Sequence, residues 1–150
     1  KEYGNLPEVE CYAGQLNQVF MNILNNAIDA LQNYNKERSK QEIENCPSTI
    51  TIHTQAVKGN WVRISIQDNG PGITEAIKTR IFDPFFTTKP VGKGTGLGLS
   101  ISYQIVVDKH GGQLKCISEP GQGTEFQIEV PIQQNSKVEL KIGELIGNFV

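Results

Sequence analysis

Residues 92–100 read GKGTGLGLS, with a glycine at every second position from Gly92 to Gly98. Alternating glycines expose several backbone N–H groups, and the helical pattern that follows places them at a helix N-terminus, which favours anions. The stretch therefore predicts a loop that cradles phosphate groups and leads into a helix. A flexible linker would carry serine and other polar residues where this stretch has Leu97 and Leu99. The glycine spacing matches neither GxxxxGK[ST] nor GxGxxG, so the P-loop, Rossmann and protein-kinase patterns are excluded.

The segments around this loop follow two periodicities. An apolar stripe at helical spacing predicts a helix over residues 14–31, and a second helix over 97–109 ends at a Gly-Gly pair. Period-two alternation predicts two hairpins, with strands at 49–57 and 61–67 and at 113–118 and 124–130. Hairpins with helices laid on one face predict an α/β (α+β) two-layer sandwich. About three helices should cover a mixed, mostly antiparallel sheet.

Weaker signals complete the predicted organisation. They indicate a short strand at 8–12, an exposed loop at 32–48, a short helix at 75–80 capped by Thr74, a long loop at 81–95 and a tail that is helical at 138–146. We therefore expect one domain over residues 1–132, followed by a C-terminal tail at 133–150.

Composition limits the class of protein. The 150 residues contain 14 Lys and Arg against 16 Asp and Glu, a net charge of −2, so no basic surface for nucleic acid is indicated. With no apolar run of transmembrane length and no signal peptide, we expect no direct membrane contact. Three widely spaced cysteines without a CxxC pair indicate reduced thiols in the cytoplasm. Because the sequence opens with Lys1, we expect it to be part of a longer protein, either soluble or membrane-anchored.

Three further clusters carry candidate chemistry. Asn22 and Asn26 share one face of the first helix, where amide oxygens can bind Mg²⁺ beside phosphate, although solvated or capping asparagines are the common alternative. Asp68 follows an apolar strand, where a buried carboxylate needs a donor such as the adenine amino group; a simple turn is the alternative. The FDPFF run at 82–86 predicts an apolar plug that pins the long loop, so that the loop can close over a ligand.

The order of these clusters resembles that of a known family. NILNNA at 22–27, DNGPG at 68–72, FDPFF at 82–86 and GTGLGL at 94–99 resemble the N, G1, F and G2 boxes of the sensor histidine kinase catalytic domain. That domain has the Bergerat ATP-binding fold, which it shares with Hsp90, DNA gyrase B and MutL. GQGTEF at 121–126 resembles the closing hairpin of the family. Four boxes in order form a far more specific signal than any one of them.

The resemblance implies ATP and Mg²⁺ as cofactors. It implies that Asn26 binds Mg²⁺, that Asn22 supports the phosphates, with both as catalytic candidates, and that Asp68 accepts the adenine amino group near Thr124. Lys89 and Lys93, in a lid over 82–95, are candidates for γ-phosphate contact because of their charge. The other implied nucleotide contacts are Asp29, Gly70, Gly72, Ile73, Phe85, Gly94, Thr95, Gly96, Leu97, Gly98 and Leu99.

The implied reaction transfers the γ-phosphoryl group of ATP to a histidine on a separate helical dimerisation and phosphoacceptor domain, for relay to a response regulator receiver domain. Neither His53 nor His110 has the sequence context of a phosphoacceptor, so we expect both to be structural or exposed. Many relatives carry a basic or aromatic residue after the N box, whereas this chain has Asp29 and Ala30. The basic phosphate contact at that position is therefore unassigned.

Two other functions stay open. One is an ATP-driven clamp of the same superfamily, and the other is a module that senses nucleotide without transferring phosphate. The phenylalanine-rich box before a short lid favours the kinase over the clamp. Four intact boxes argue against a degenerate binding module.

Overall fold

The computed structural model describes residues 1–90, 92 and 94–134. A π-helical segment, Gln104–Lys109, directly follows the α-helix Gly98–Tyr103. The tail from residue 135 onward, including the helix predicted at 138–146, lies outside the described residues. The other elements are β1 (Glu2–Tyr3), α1 (Ala13–Glu37), α2 (Lys40–Asn45), β2 (Ile50–Val57), β3 (Trp61–Asp68), α3 (Glu75–Lys78), α4 (Gly98–Tyr103), β4 (Gln113–Ser118) and β5 (Thr124–Pro131).

The five strands form one sheet in the order β1-β2-β3-β5-β4. β1 pairs parallel with β2, and the other pairs are antiparallel, so the two predicted hairpins and the mixed, mostly antiparallel sheet are confirmed. In this register Thr124 lies opposite both Asp68 of β3 and Ser118 of β4. Three polar residues therefore form one row across the end of the sheet.

The core lies between α1, the α4 region and one face of the sheet. Val19 and Ile23 of α1 are 0% and 1% exposed and belong to one cluster with Val62 and Ile128 from the strands and Val106 from the π-helical segment. Burying an aliphatic side chain of this kind contributes about 1.5–3 kcal/mol to stability. The opposite face of the sheet is polar, which confirms the two-layer sandwich.

The prediction of an exposed loop at 32–48 is wrong. This stretch contains the last turns of α1 and the whole of α2. α1 extends beyond the last residue of its apolar stripe, because polar residues keep their helix propensity when they are exposed to solvent. On this part of the helix surface, Lys36 donates to Asn33 at 3.0 Å. α2 begins with a capping box, in which the Ser39 hydroxyl accepts from the Glu42 N–H and the Glu42 carboxylate accepts from the Ser39 N–H.

The strand predicted at 8–12 is also wrong, because the strand that joins β2 is the earlier β1. Residues 8–12 are held beside the end of β5 by Glu10, whose N–H donates to the Ile132 carbonyl at 2.9 Å and whose carbonyl accepts from Gln134 Nε2 at 3.1 Å. The Tyr12 N–H donates to His110 Nε2 at 3.0 Å instead of joining a ladder. The Tyr12 N–H is therefore bonded to a side-chain acceptor and not to the backbone of a neighbouring strand.

The predicted second helix is confirmed as a helical segment, although it changes from α to π geometry at Gln104. His110 follows it and is 1% exposed. Its Nδ1 lies 2.8 Å from the carbonyl of Ile105. Because Nε2 accepts from Tyr12, Nδ1 carries the proton and donates to that carbonyl. His110 therefore has the predicted structural role, and it ties the segment before α1 to the end of the second helix.

Among the described helices, none combines the length and the apolar character that crossing a bilayer requires.

Candidate functional site

A cavity of about 470 Å³ opens between α1, the loop residues 86–90 and 94–96, and the end of the sheet that carries Asp68. Its volume lies in the usual range for small-molecule sites. Most of the predicted site residues line it: Asn22, Asn26, Asp29, Asp68, Ile73, Lys89, Gly94, Thr95, Gly96, Gly98, Leu99 and Thr124. The fold thus brings the separate sequence clusters to one place.

One end of the cavity combines a buried acid with apolar walls. Asp68 is 4% exposed, and its Oδ1 accepts from the Gly70 N–H at 2.9 Å. Burial raises the pKa of the Asp68 carboxyl, and the N–H groups of Gly70 and Thr124 offset part of that effect. The walls beside it are the apolar side chains of Ile73, Ile77, Ile81, Phe86, Leu99 and Phe126. A flat heterocycle with a donor amine matches this arrangement of one acceptor within an apolar slot.

Ser118 fixes two residues of this apolar end. Its hydroxyl donates to the Gly123 carbonyl at 2.7 Å, accepts from the Ile73 N–H at 3.0 Å and lies 3.0 Å from the Thr124 hydroxyl. The sequence analysis missed Ser118 because it lies outside the four boxes. The register of the second hairpin, which puts Ser118 opposite Thr124, is the signal that could have found it.

The opposite end of the cavity is polar and contains an ion pair. Lys89 Nζ lies 2.6 Å from Asp29 Oδ2 and 3.1 Å from Asn26 Oδ1. α1 presents the acid and the amide one turn apart, so both can reach one cation. The lysine comes from the loop that follows the phenylalanine-rich run. Three residues that the sequence assigned separately therefore form one cluster.

Asn22 connects α1 to the start of α4. Its Nδ2 lies 3.0 Å from the Gly98 carbonyl and 3.2 Å from the hydroxyl of Ser102, which is fully buried. The Ser102 hydroxyl also donates to the Gly98 carbonyl, at 2.8 Å. This three-membered network holds the glycine-rich entrance of α4 against α1. Ser102 was not among the predicted site residues.

The loop before α4 is held by backbone contact with the phenylalanine-rich run. The Phe85 N–H donates to the Gly96 carbonyl at 2.9 Å. Gly96 has φ +67°, and a side chain there would collide with the Phe85 backbone. Phe82 and Phe86 pack against the core, whereas Phe85 is 75% exposed. The predicted plug is therefore formed by two of the three rings.

Four of the predicted site residues lie outside the cavity lining, namely Gly70, Gly72, Phe85 and Leu97, and Lys93 lies outside the described residues. A Cβ on Gly70 would lie 2.7 Å from Asp68 Oδ1, so this glycine serves the placement of the acid. Gly72 has φ +68° and contacts the turn between β4 and β5. Both glycines are thus required by packing within the protein.

The polar end has the chemistry of a hard-cation site. An amide oxygen and a carboxylate oxygen, Asn26 Oδ1 and Asp29 Oδ2, already share one cation, the Lys89 ammonium. Hard oxygen donors of this kind suit Mg²⁺. The described part of the chain holds no cluster of three or more acidic, histidine or cysteine side chains that could enclose a metal. An ion here would draw most of its ligands from water and phosphate, as Mg²⁺ in nucleotide sites does.

An apolar slot with a buried acid, joined to a polar end beside a glycine-rich helix entrance, defines a nucleotide-binding α/β sandwich. The sequence model described as "Histidine kinase-, DNA gyrase B-, and HSP90-like ATPase" matches residues 12–134. The chain belongs to this family, and the predicted resemblance to the sensor histidine kinase catalytic domain is confirmed.

Individual relatives agree with this assignment. The chain is 38% identical over 133 residues to Sporulation kinase E of Bacillus subtilis, covering 89% of this chain and 16% of that protein. It matches full-length ShkA in complex with AMPPNP at TM-score 0.70 and 28% identity, covering 89% and 26% of the two chains. It matches the histidine kinase ThkA in complex with the response regulator TrrA at TM-score 0.66 and 30% identity, covering 91% and 34%. The chain thus spans a small part of the proteins it resembles.

Proposed function

We propose that this domain binds ATP with Mg²⁺ and delivers the γ-phosphoryl group to a histidine on a separate helical phosphoacceptor domain. The observation that carries the proposal is the two-ended cavity. One end offers the buried Asp68 in an apolar slot, and the other offers Asn26, Asp29 and Lys89 beside Gly94–Gly98. The base and the triphosphate of one nucleotide match these two ends. We assign the activity to residues 1–132 and leave the tail outside it.

At the apolar end, Asp68 would accept a hydrogen bond from the adenine amino group. The carboxylate is already desolvated, so an incoming donor recovers part of the electrostatic cost of its burial. Ser118 holds Thr124 and Ile73 in place around the base. The acid selects an amino group over a carbonyl at that position, so adenine is favoured over guanine.

At the polar end, the chain would position and neutralise the triphosphate. Phosphoryl transfer requires placement and charge stabilisation more than covalent chemistry from the protein. Asn26 would hold Mg²⁺, which neutralises charge on the phosphate oxygens when bound. Asn22 keeps Gly98 in the cavity wall through its hydrogen bond to the Gly98 carbonyl. Lys89 supplies a mobile positive charge at the same end.

The proposed acceptor and partners lie outside this chain. His110 is buried and fully hydrogen-bonded, and His53 lies within β2, so neither suits the role of acceptor. The ThkA complex with the response regulator TrrA supports relay to a receiver domain. We place the domain in the cytoplasm, since ATP is available there and its three cysteines are free thiols.

Calorimetry with AMPPNP and MgCl₂ tests the binding half of the proposal. We expect Asn26→Ala to lose the Mg²⁺-dependent part of the affinity by at least about tenfold, as loss of a metal-shell group does. Asn17→Ala, an exposed asparagine on the same helix, is the matched control and should bind like the wild type. No heat of association with the wild-type chain would refute the nucleotide site.

Incubation with labelled ATP and the helical phosphoacceptor domain tests the transfer half. A kinase labels the acceptor histidine while the isolated domain hydrolyses little ATP. Rapid hydrolysis by the isolated domain without labelling would indicate a clamp ATPase. Tight binding with neither activity would indicate a nucleotide-sensing module.

A further inference from the structure

We propose that Asp29 is a positioning residue that holds the Lys89 ammonium against the Asn26 oxygen that would bind Mg²⁺. We call this arrangement, which lasts until nucleotide and Mg²⁺ bind, the parked state. Lys89 would thus act as a placeholder cation for Mg²⁺, and its release would be coupled to metal binding. This inference rests on the proposed function, because it concerns the same polar end of the cavity. It adds a role for Asp29 that the nucleotide site alone does not require.

The first argument is charge. Asp29 lies beside the oxygen that would face a metal, yet a carboxylate there would repel the phosphates of a nucleotide unless it is neutralised. Lys89 Nζ neutralises it at 2.6 Å and reaches Asn26 Oδ1 at 3.1 Å. One ammonium therefore occupies the Asn26 oxygen that a divalent ion would use, while Asp29 holds the ammonium there. The two cations exclude each other at this position.

The second argument is the construction of the loop. Gly94 packs so closely on the lysine stem that a Cβ there would lie 3.1 Å from Lys89 Cβ and 3.2 Å from its Cδ. The Lys89 N–H donates to the Thr87 hydroxyl at 3.1 Å, which ties the backbone of Lys89 to the preceding residues of the loop. The lysine stem therefore fills the space that a side chain at residue 94 would need. The glycine that the sequence assigns to the phosphates and the Lys89 stem thus lie side by side.

The third argument is magnitude. The Lys89 and Asp29 side chains are 30% and 46% exposed, and exposed ion pairs of this kind are weak. A weak pair can hold the lysine before nucleotide binds, yet a divalent ion that binds together with a triphosphate can displace it. The released ammonium then stays at the polar end, where it can pair with the phosphates.

A double-mutant cycle tests whether Asp29 acts through Lys89. Calorimetry would give the AMPPNP affinity, with Mg²⁺ and with EDTA, for wild type, Asp29→Asn, Lys89→Met and the double variant. We expect Asp29→Asn to tighten binding about two- to fivefold, since the parked state is lost. In the Lys89→Met background no ammonium neutralises the carboxylate, so the same substitution should tighten binding by a clearly larger factor. An equal effect in both backgrounds would overturn the proposal, because Asp29 would then act independently of the lysine.

Hydrogen exchange of the nucleotide-free protein gives a readout that does not depend on binding. Asp29→Asn should speed exchange at residues 87–89, whereas Asp29→Glu should retain protection because it keeps the charge. Lys36→Met removes a lysine of α1, the helix that carries Asp29, and should leave this exchange unchanged. Unchanged exchange in Asp29→Asn would overturn the parked state even if nucleotide binds normally. Absence of nucleotide binding by the wild type would instead refute the proposed function.

Discussion

At the scale of single residues, the burial of Asp68 lowers the stability of the fold and supplies an acceptor for recognition of the base. Desolvation raises its pKa, so the folded state holds its proton more tightly than the unfolded chain does. A raised carboxyl pKa means that stability is highest when the group is neutral and falls as the pH rises through the folded-state pKa. We therefore expect Asp68→Asn to raise the melting temperature of the nucleotide-free protein at pH 7. The same change should weaken AMPPNP binding about 10- to 100-fold, because a charged hydrogen bond to the base is lost.

The pH dependence identifies the cause of this stabilisation. Thermal melts between pH 3 and pH 7 should show the advantage of Asp68→Asn shrinking as the pH falls, since the wild-type carboxyl also becomes neutral. Asp83→Asn, which changes an acid that is 58% exposed, should show no such trend. An advantage that is the same at every pH would assign the effect to packing rather than to the buried charge.

At the scale of elements, the contact between Gly96 and Phe85 sets the position of the loop. Gly96→Ala combines a left-handed backbone with a collision against the Phe85 backbone. Gly92→Ala shares the left-handed backbone, at φ +85°, but has open space where the Cβ would lie. We expect Gly92→Ala to cost roughly 1 kcal/mol or less and Gly96→Ala clearly more, with a matching loss of AMPPNP affinity. Equal effects in melts and calorimetry would show that the contact with Phe85 has no role.

A second element-scale prediction concerns the two bonds of His110. His110→Asn can still donate to the Ile105 carbonyl but cannot reach the Tyr12 N–H, whereas His110→Gln can accept from Tyr12 through its longer side chain. We expect both to lower the free energy of unfolding by about 1–3 kcal/mol, since each loses one of the two hydrogen bonds of His110, one buried and one partly buried. Amide exchange of Tyr12 should accelerate more in His110→Asn. The opposite order would show that the Ile105 bond holds the segment before α1.

The elements differ in how far the sequence predicts them, for physical reasons. The two hairpins and the two predicted long helices each bury one face. Burial imposes a pattern of apolar residues, alternating in the strands and striped in the helices, and this pattern is visible in the sequence. The turns of α1 beyond Leu31 and all of α2 bury little, so periodicity gave no signal there, although the capping box of Ser39 and Glu42 was readable. Asp68 and Asn26 were predicted because family boxes include them. Ser118 could have been found only from the register of the second hairpin, which pairs it with Thr124. Ser102 and the pairing of Asp29 with Lys89 depend on tertiary contacts between distant segments, which no local pattern encodes.

At the scale of the whole molecule, the cavity and the edge strand should be energetically coupled. β4 lies at one end of the sheet and is hydrogen-bonded to β5. Its Ser118 bonds to Thr124 and Ile73, which line the cavity, and its Cys116 packs against the core. Burial raises the pKa of the Cys116 thiol from 9.0 to about 11. Nucleotide in the cavity should therefore protect a thiol that it does not touch.

Alkylation kinetics measure this coupling in a Cys11→Ser, Cys46→Ser variant that keeps Cys116 alone. Because the thiolate is the nucleophile, a pKa raised to about 11 makes the buried Cys116 thiol poorly reactive in the folded state at pH 8, so alkylation should proceed through open states. If those open states cannot bind nucleotide, AMPPNP with Mg²⁺ at 100 times its Kd should slow the reaction by about 100-fold. An alkylation rate that nucleotide leaves unchanged would show that β4 opens locally. Nucleotide binding in the cavity would then not stabilise the edge of the sheet through the row formed by Asp68, Thr124 and Ser118.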